Sequence, residues 1–243
     1  MPYLFIHGLG QSPAVWSETL WRMPGLYAAD AHCPDLAHLL RGTPADYDAL
    51  YRAFSAYCAA LPQPLHLCGL SLGGILALQY AAEHPARVAS LVLIGAQYRM
   101  PKRLLGVQSV VFRLMPDCAF REMGFARQDL LRLTGSMREL DFSDALCSIP
   151  CPALILCGGR DRANRAAAAE LASRLPNARL QTIEGAGHEV NKDTPAQLAL
   201  ALTCFWHAKN CPEPYEKAYA VASAFPLFFF VAVRRHARFA VYG

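Results

Sequence analysis

Charge is scarce in this chain. Asp, Glu, Lys and Arg make up 17% of its 243 residues, and the formal net charge is only +4. So small a surplus is no electrostatic footprint for nucleic acid, and no such partner is expected. Internal repeats and low-complexity tracts are also missing. A complete disulfide framework is not expected, because the nine cysteines are odd in number and several, Cys58, Cys68 and Cys157 among them, fall inside strand or helix patterns. They fit a reducing cytoplasm. Cys147, Cys151 and Cys157 are not spaced like the common zinc pairs, and His32 and His38 have no further ligands near them, so neither a metal nor a cofactor is expected. No basic leader with a long apolar stretch opens the chain, so export by that route is not expected. The most apolar uncharged run, Ala218 to Val233, is 16 residues long with Pro226 inside it. That is short of the roughly 20 residues a membrane-spanning helix requires.

What is present is apolar: 54% of the residues, enough for one α/β domain to bury a sizeable core. Strand patterns near residues 3, 28, 65, 89, 153 and 179 alternate with helix patterns near 14, 46, 73, 163 and 195. This alternation predicts a mainly parallel sheet of about six strands flanked by helices.

Gly69-Leu70-Ser71-Leu72-Gly73 carries the strongest chemical signal. It follows the strand run Pro64 to Cys68 and precedes a helix pattern from Gly74 to Ala82, so Ser71 sits on a sharp strand-to-helix turn. Such a turn strains the serine backbone, lifts its hydroxyl above the carboxyl end of the sheet and places helix N–H groups beside it. Upstream, Tyr3 to Ile6 reads as a strand running into His7-Gly8-Leu9-Gly10, with Ser12-Pro13 opening a helix. The backbone N–H groups of Leu9 and Leu72 are the expected oxyanion donors. His7 itself reads as a hydrogen-bonded histidine at a tight strand exit.

A serine hydroxyl needs a base, and the base needs an orienting acid. Ala153 to Cys157 reads as a strand ending in Gly158-Gly159-Arg160-Asp161, and Arg179 to Ile183 as the next, ending in Glu184-Gly185-Ala186-Gly187-His188. The chain order Ser71, Asp161, His188 belongs to this strand-turn-helix architecture. Alternatives stay open: Ser71 as an ordinary helix cap, Asp161 as the cap of a helix over Ala163 to Leu175, Glu184 or Asp193 as the acid, and His188 as a loop histidine.

With these motifs the chain, over about residues 3 to 206, resembles the α/β-hydrolase superfamily. Glu83-His84-Pro85-Ala86-Arg87-Val88 before Leu91 to Ile94, and Ile149-Pro150 before Pro152-Ala153-Leu154, are similar to the family's lead-ins to the strands after the nucleophile helix and before the acid. The resemblance implies acyl transfer to water through an acyl-serine, on a small or medium carboxylic ester. Thioester and C–C bond hydrolysis use the same triad. A non-catalytic member that binds a ligand in the pocket is the alternative of another class, and a lipid-acting enzyme at a membrane surface is a further one.

Two departures are visible. The chain starts at the strand before the oxyanion loop, which predicts a smaller sheet at one edge. Pro34-Asp35-Leu36-Ala37-His38 replaces the family's Pro-Gly-His-Gly turn, which predicts a rebuilt loop.

The domain is expected over 1–206, with an inserted lid at about 97–150. Leu104, Leu105, Val107, Val110, Val111, Phe112, Leu114 and Met115, supplemented by Phe120, Met123 and Phe125, are expected mostly to pack that lid onto the body, a minority lining an acyl pocket. Residues 207–243 form a tail carrying +3 of the net charge. Its role is left open, and a strand or helix docked on the body or a disordered extension is expected rather than a membrane anchor.

Overall fold

The computed structural model describes residues 1–23, 30–116, 120 and 125–207. Met1–Ala201 form one compact unit, which contains the whole sheet, and Leu202–Gly243 a second. The strands are β1 (Tyr3–Ile6), β2 (Ala31–His32), β3 (Leu65–Leu70), β4 (Val88–Ile94), β5 (Ala153–Gly158) and β6 (Ala178–Ile183). Their order across the sheet is β2-β1-β3-β4-β5-β6, with every pairing parallel. Central strands of such a sheet are covered on both faces and therefore read as continuous apolar runs. Every residue of β5 is buried, whereas in the edge strand β6 only Ile183 is. Leu4, Leu67, Leu91, Ala153 and Ala178 form one register row from β1 to β6.

The second strand lies at Ala31–His32, later than the expected position near 28, and it pairs only at Tyr3 and Leu4 of β1. A two-residue edge strand held by one neighbour leaves little apolar pattern to read. Residues 24–29 lie outside the described set. After it, Asp35 Oδ1 accepts from the N–H groups of Ala37 and His38 at 3.0 and 3.1 Å and starts the Leu36–Leu39 helical turn.

The Leu72–Glu83 helix packs on β3 and β4, and Arg165–Arg174 on β5 and β6. The Tyr47–Ala59 helix begins where Asp46 Oδ1 accepts from Ala49 N–H at 2.8 Å, and it buries Leu50, Phe54 and Cys58, each one turn after the last. Phe54 meets Tyr80 edge-to-face with centroids 6.1 Å apart.

Between β4 and β5 the insertion contains the helices Lys102–Leu114 and Arg127–Ser136. Leu105 and Phe112, two turns apart, are buried, and Phe112 meets Phe120 edge-to-face. Val110, Val111 and Leu114 are exposed. The expected packing of the insertion therefore holds for one face of its first helix and fails for these three residues, which lie off that face. Leu104 and Val107 lie outside the described side chains, and Met123 outside the described residues.

Cys33, Cys58, Cys68, Cys147, Cys151 and Cys157 are free thiols, and burial pushes the Cys151 thiol up to about 11, where it behaves as a small apolar group. Cys204 is in a disulfide, which a reducing compartment does not favour. Among the described residues no helix is long and apolar enough to cross a membrane, and no group of three or more His, Cys, Asp or Glu side chains could hold a metal. The tail reading, apart from His207, falls outside the described residues.

Candidate active site

In a parallel sheet the loops after the strands leave from one edge, and a cleft opens where the strand order reverses. Here the reversal lies between β1 and β3, so the loops starting at His7 and Ser71 flank it. Ser71 is the N-cap of the Leu72–Glu83 helix, with φ 52° and ψ −115°, and it makes no side-chain capping bond. It is the one non-glycine residue with positive φ among those described. A serine held there costs of order 1–3 kcal/mol, which the surrounding packing must supply. Part of that packing is visible at Gly73, where a Cβ would lie 2.2 Å from the Ile6 carbonyl oxygen. Only glycine lets the helix approach β1 this closely. Leu72 opens the helix, and its N–H has no acceptor within it, as for any residue of a first turn. Gly8 reaches the same turn from β1: a Cβ on it would lie 3.5 Å from Ser71 Cβ.

His188 and Asp161 meet on the neighbouring loops. His188 Nδ1 lies 2.8 Å from Asp161 Oδ2, and the carboxylate can only accept, so the Nδ1 proton is donated to it. In the neutral ring Nε2 is then the unprotonated nitrogen. The Asp161 side chain is 5% exposed and that of His188 40%. Burial pushes the Asp161 carboxyl up, but hydrogen bonds from His188 and Asn164 outweigh it and leave the group below the ordinary carboxylate range. Asn164 Nδ2 donates to both carboxylate oxygens at 3.0 and 2.8 Å, and Asn164 Oδ1 accepts from Gln97 Nε2 at 2.6 Å. Asp161 also accepts from the Asn164 backbone N–H at 3.3 Å, so it serves the following helical turn as well as His188.

Of the rival acids, Asp193 Oδ2 accepts from the Gly187 N–H at 2.6 Å and braces the histidine loop from behind. Glu184 is exposed and lies beside Gly159.

His7 is a buried structural histidine. Its Nδ1 donates to the Gly8 carbonyl at 2.9 Å and its Nε2 accepts from the Leu36 N–H at 3.2 Å. Burial lowers its pKa, opposed by the Gly8 bond and by Asp35. An unfolded histidine takes up a proton near pH 6.5. The stability that this neutral ring contributes is therefore complete above that pH and falls as the pH drops below it toward the folded value. The urea midpoint is expected to fall between pH 7.5 and 5.5, and less steeply in His7→Gln.

Nothing in the sequence singles out Gly95, which the fold places beside His188 and Asp161. It follows β4 with φ +54°, and a Cβ there would lie 3.0 Å from both Cε1 and Nδ1 of His188 and 3.4 Å from Asp161 Oδ2. The preceding residue, Ile94, accepts the Ser71 N–H at 2.9 Å. Adjacent residues of one strand end thus hold the serine and underlie the imidazole. Gly95→Ala is expected to displace the ring and lower kcat/KM about 10²-fold, with about 1–2 kcal/mol of stability lost. Ester kinetics and thermal melting check both.

A family model described as the alpha/beta hydrolase family matches residues 3–201. The chain belongs to the alpha/beta hydrolase family. Within it, the chain is 28% identical over 242 residues to a pimeloyl-[acyl-carrier protein] methyl ester esterase of Aromatoleum aromaticum, covering 82% of this chain and 95% of that one. NosK from Streptomyces actuosus has the same fold, with a TM-score of 0.71 and 24% identity over 85% of this chain and 98% of that one. A thermophilic esterase from Thermogutta terrifontis follows at 0.66 and 22%, covering 87% and 91%. The sheet, the strained serine turn and the loops carrying Asp161 and His188 all fall inside the stretch that the family model matches.

Proposed function

We propose that this hydrolase cleaves a small or medium carboxylic ester through an acyl-serine intermediate. The observation that carries the reading is the strained Ser71 backbone, φ 52° at a helix head, joined through Ile94 and Gly95 to the paired Asp161 and His188. Strain of this kind at a polar side chain persists where the surrounding structure over-determines it, and it clusters at reacting groups.

Ser71 Oγ attacks the ester carbonyl while His188 Nε2 takes its proton. Asp161 holds the Nδ1 proton and stabilises the imidazolium that forms. The N–H groups of Leu9 and Leu72 receive the charge developing on the carbonyl oxygen. His188 then protonates the departing alcohol, and water, activated by the same nitrogen, releases the acid. No cofactor or metal enters these steps. The methyl ester named for the Aromatoleum relative supports an oxygen ester over a thioester. A catalytic domain over 1–206 and a cytoplasmic location belong to the same proposal.

A fluorophosphonate probe, which modifies activated serines, is expected to label the purified protein at Ser71. A series of p-nitrophenyl esters should then size the acyl pocket. A protein that is neither labelled nor turns over any ester would overturn the reading in favour of a ligand-binding member of the fold.

A further inference from the structure

Gln11 is 6% exposed, and its side-chain amide joins loops that lie far apart in sequence. Its Oε1 accepts the Gly8 N–H at 3.1 Å, and its Nε2 donates to Glu189 Oε1 at 2.7 Å. The amide of Asn191, 1% exposed, lies alongside: Gln11 Nε2 to Asn191 Oδ1 is 3.4 Å, and Asn191 Nδ2 to Gln11 Oε1 is 3.3 Å. The orientation is fixed by chemistry, since a backbone N–H can only donate and a carboxylate can only accept. Glu189 is held in turn by Lys192 at 2.9 Å.

The other side of Gly8 is tied as well. Its carbonyl oxygen accepts from His7 Nδ1 at 2.9 Å and from the Gln11 backbone N–H at 3.2 Å. That carbonyl belongs to the same planar trans peptide as the Leu9 N–H, and the two point in opposite directions. Fixing one fixes the other. Glycine has the widest backbone freedom of any residue, so without these bonds the Gly8–Leu9 peptide could turn over and present oxygen where a donor is needed.

We propose that Gln11 is a positioning residue that holds Gly8 from both sides, its backbone N–H on the carbonyl of the Gly8–Leu9 peptide and its side-chain amide on the Gly8 N–H before it, so that the peptide keeps its donating orientation, and that it ties this loop, through Glu189, to the one carrying His188. The inference rests on the serine-hydrolase reading above. It makes the oxyanion donor and the base one rigid unit, so that a shift of the His188 loop is felt at Leu9.

Gln11→Met keeps the buried volume and removes every side-chain hydrogen bond. Its kcat on a p-nitrophenyl ester is expected to fall about 10–100-fold with KM little changed, less than the about 10²–10³-fold found when an oxyanion donor is lost outright, because the backbone bond from Gln11 to the Gly8 carbonyl remains. Affinity for a trifluoromethyl ketone, which forms the anionic adduct, should fall by the same factor as kcat/KM, while affinity for the carboxylate product stays as in wild type. A variant that only loosens the fold would not separate these two ligands. Glu189→Gln is the companion variant: it retains the Gly8 bond, weakens the cross-loop tie and removes the charge that pairs with Lys192 and acts on His188, and a fall of a few-fold in kcat is expected. Wild-type kcat and wild-type ketone affinity in folded Gln11→Met, or in Glu189→Gln should the first fail to fold, would overturn the inference. Failure of the underlying reading looks different, because wild-type protein itself would then escape fluorophosphonate labelling.

Discussion

Ser71→Ala is expected to lower ester turnover by about 10⁴-fold or more and to abolish fluorophosphonate labelling, while the melting temperature stays within a few degrees of wild type. The two effects separate because Ser71 makes no side-chain capping bond to its helix. Removing Oγ therefore takes away the attacking atom and little of the packing. Alanine gains nothing from the φ of 52°, which is as unfavourable for it as for serine. Ser71→Gly sharpens the test. Glycine enters positive φ without steric cost, so this variant is expected to be about 1–2 kcal/mol more stable than Ser71→Ala while equally inactive. Chemical denaturation of the pair measures the strain directly. Equal stability of the two would show that the strain is no larger than the roughly 0.5–1 kcal/mol of extra chain entropy that glycine loses on folding. Retained turnover in Ser71→Ala would remove the serine from the mechanism.

Asp161→Asn is expected to cost about 10⁴-fold in kcat with KM nearly unchanged, the size of loss seen when a triad acid becomes an amide. The reason here is a contest of donors. Asp161 accepts from His188 Nδ1 and from Asn164 Nδ2, which also lies 3.1 Å from His188 Nδ1. An amide at this position has one acceptor oxygen for those donors. If that oxygen serves Asn164, its NH₂ group faces His188 and drives the ring proton from Nδ1 to Nε2, where it blocks proton removal from Ser71. NMR of the histidine ring protons would report the changed tautomer. An effect below about tenfold would transfer the acid's role to another carboxylate. Asp193, which accepts the Gly187 N–H, is the one already bound to the histidine loop.

Features written into a few consecutive residues were open to reading. The Gly69 to Gly73 run encodes its own turn, because the glycines, the strand before and the helix after are all local, and the buried runs of β4 and β5 announce themselves by composition. Asp161 follows the buried run of β5, whereas His188 follows the glycine turn after β6, a strand with one buried residue. The second strand was misplaced because two residues paired to one neighbour leave almost no pattern. Long-range polar contacts that no motif marks were not legible. Gln11 meets Glu189 across 178 positions and Gln97 meets Asn164 across 67, and nothing in the local sequence of either marks the partner. Gly95 reads as a plain strand terminus until the sheet sets it beneath His188. For the inserted helix, periodicity pointed to apolar packing, yet Leu114 is 81% exposed.

The insertion leaves the sheet after Ile94 and returns at Ala153, on a strand hydrogen-bonded to the one it left, with Leu91 opposite Ala153 and Ile94 opposite Leu156. Its two ends are therefore fixed by the ladder and not by the length between them. Such an arrangement is a cassette: segments can be lengthened, shortened or exchanged there without sliding β5 against β4. A lineage carrying this sheet could remodel that stretch while the register of β4 against β5 is inherited unchanged, and a laboratory graft between the two strands would follow the same route.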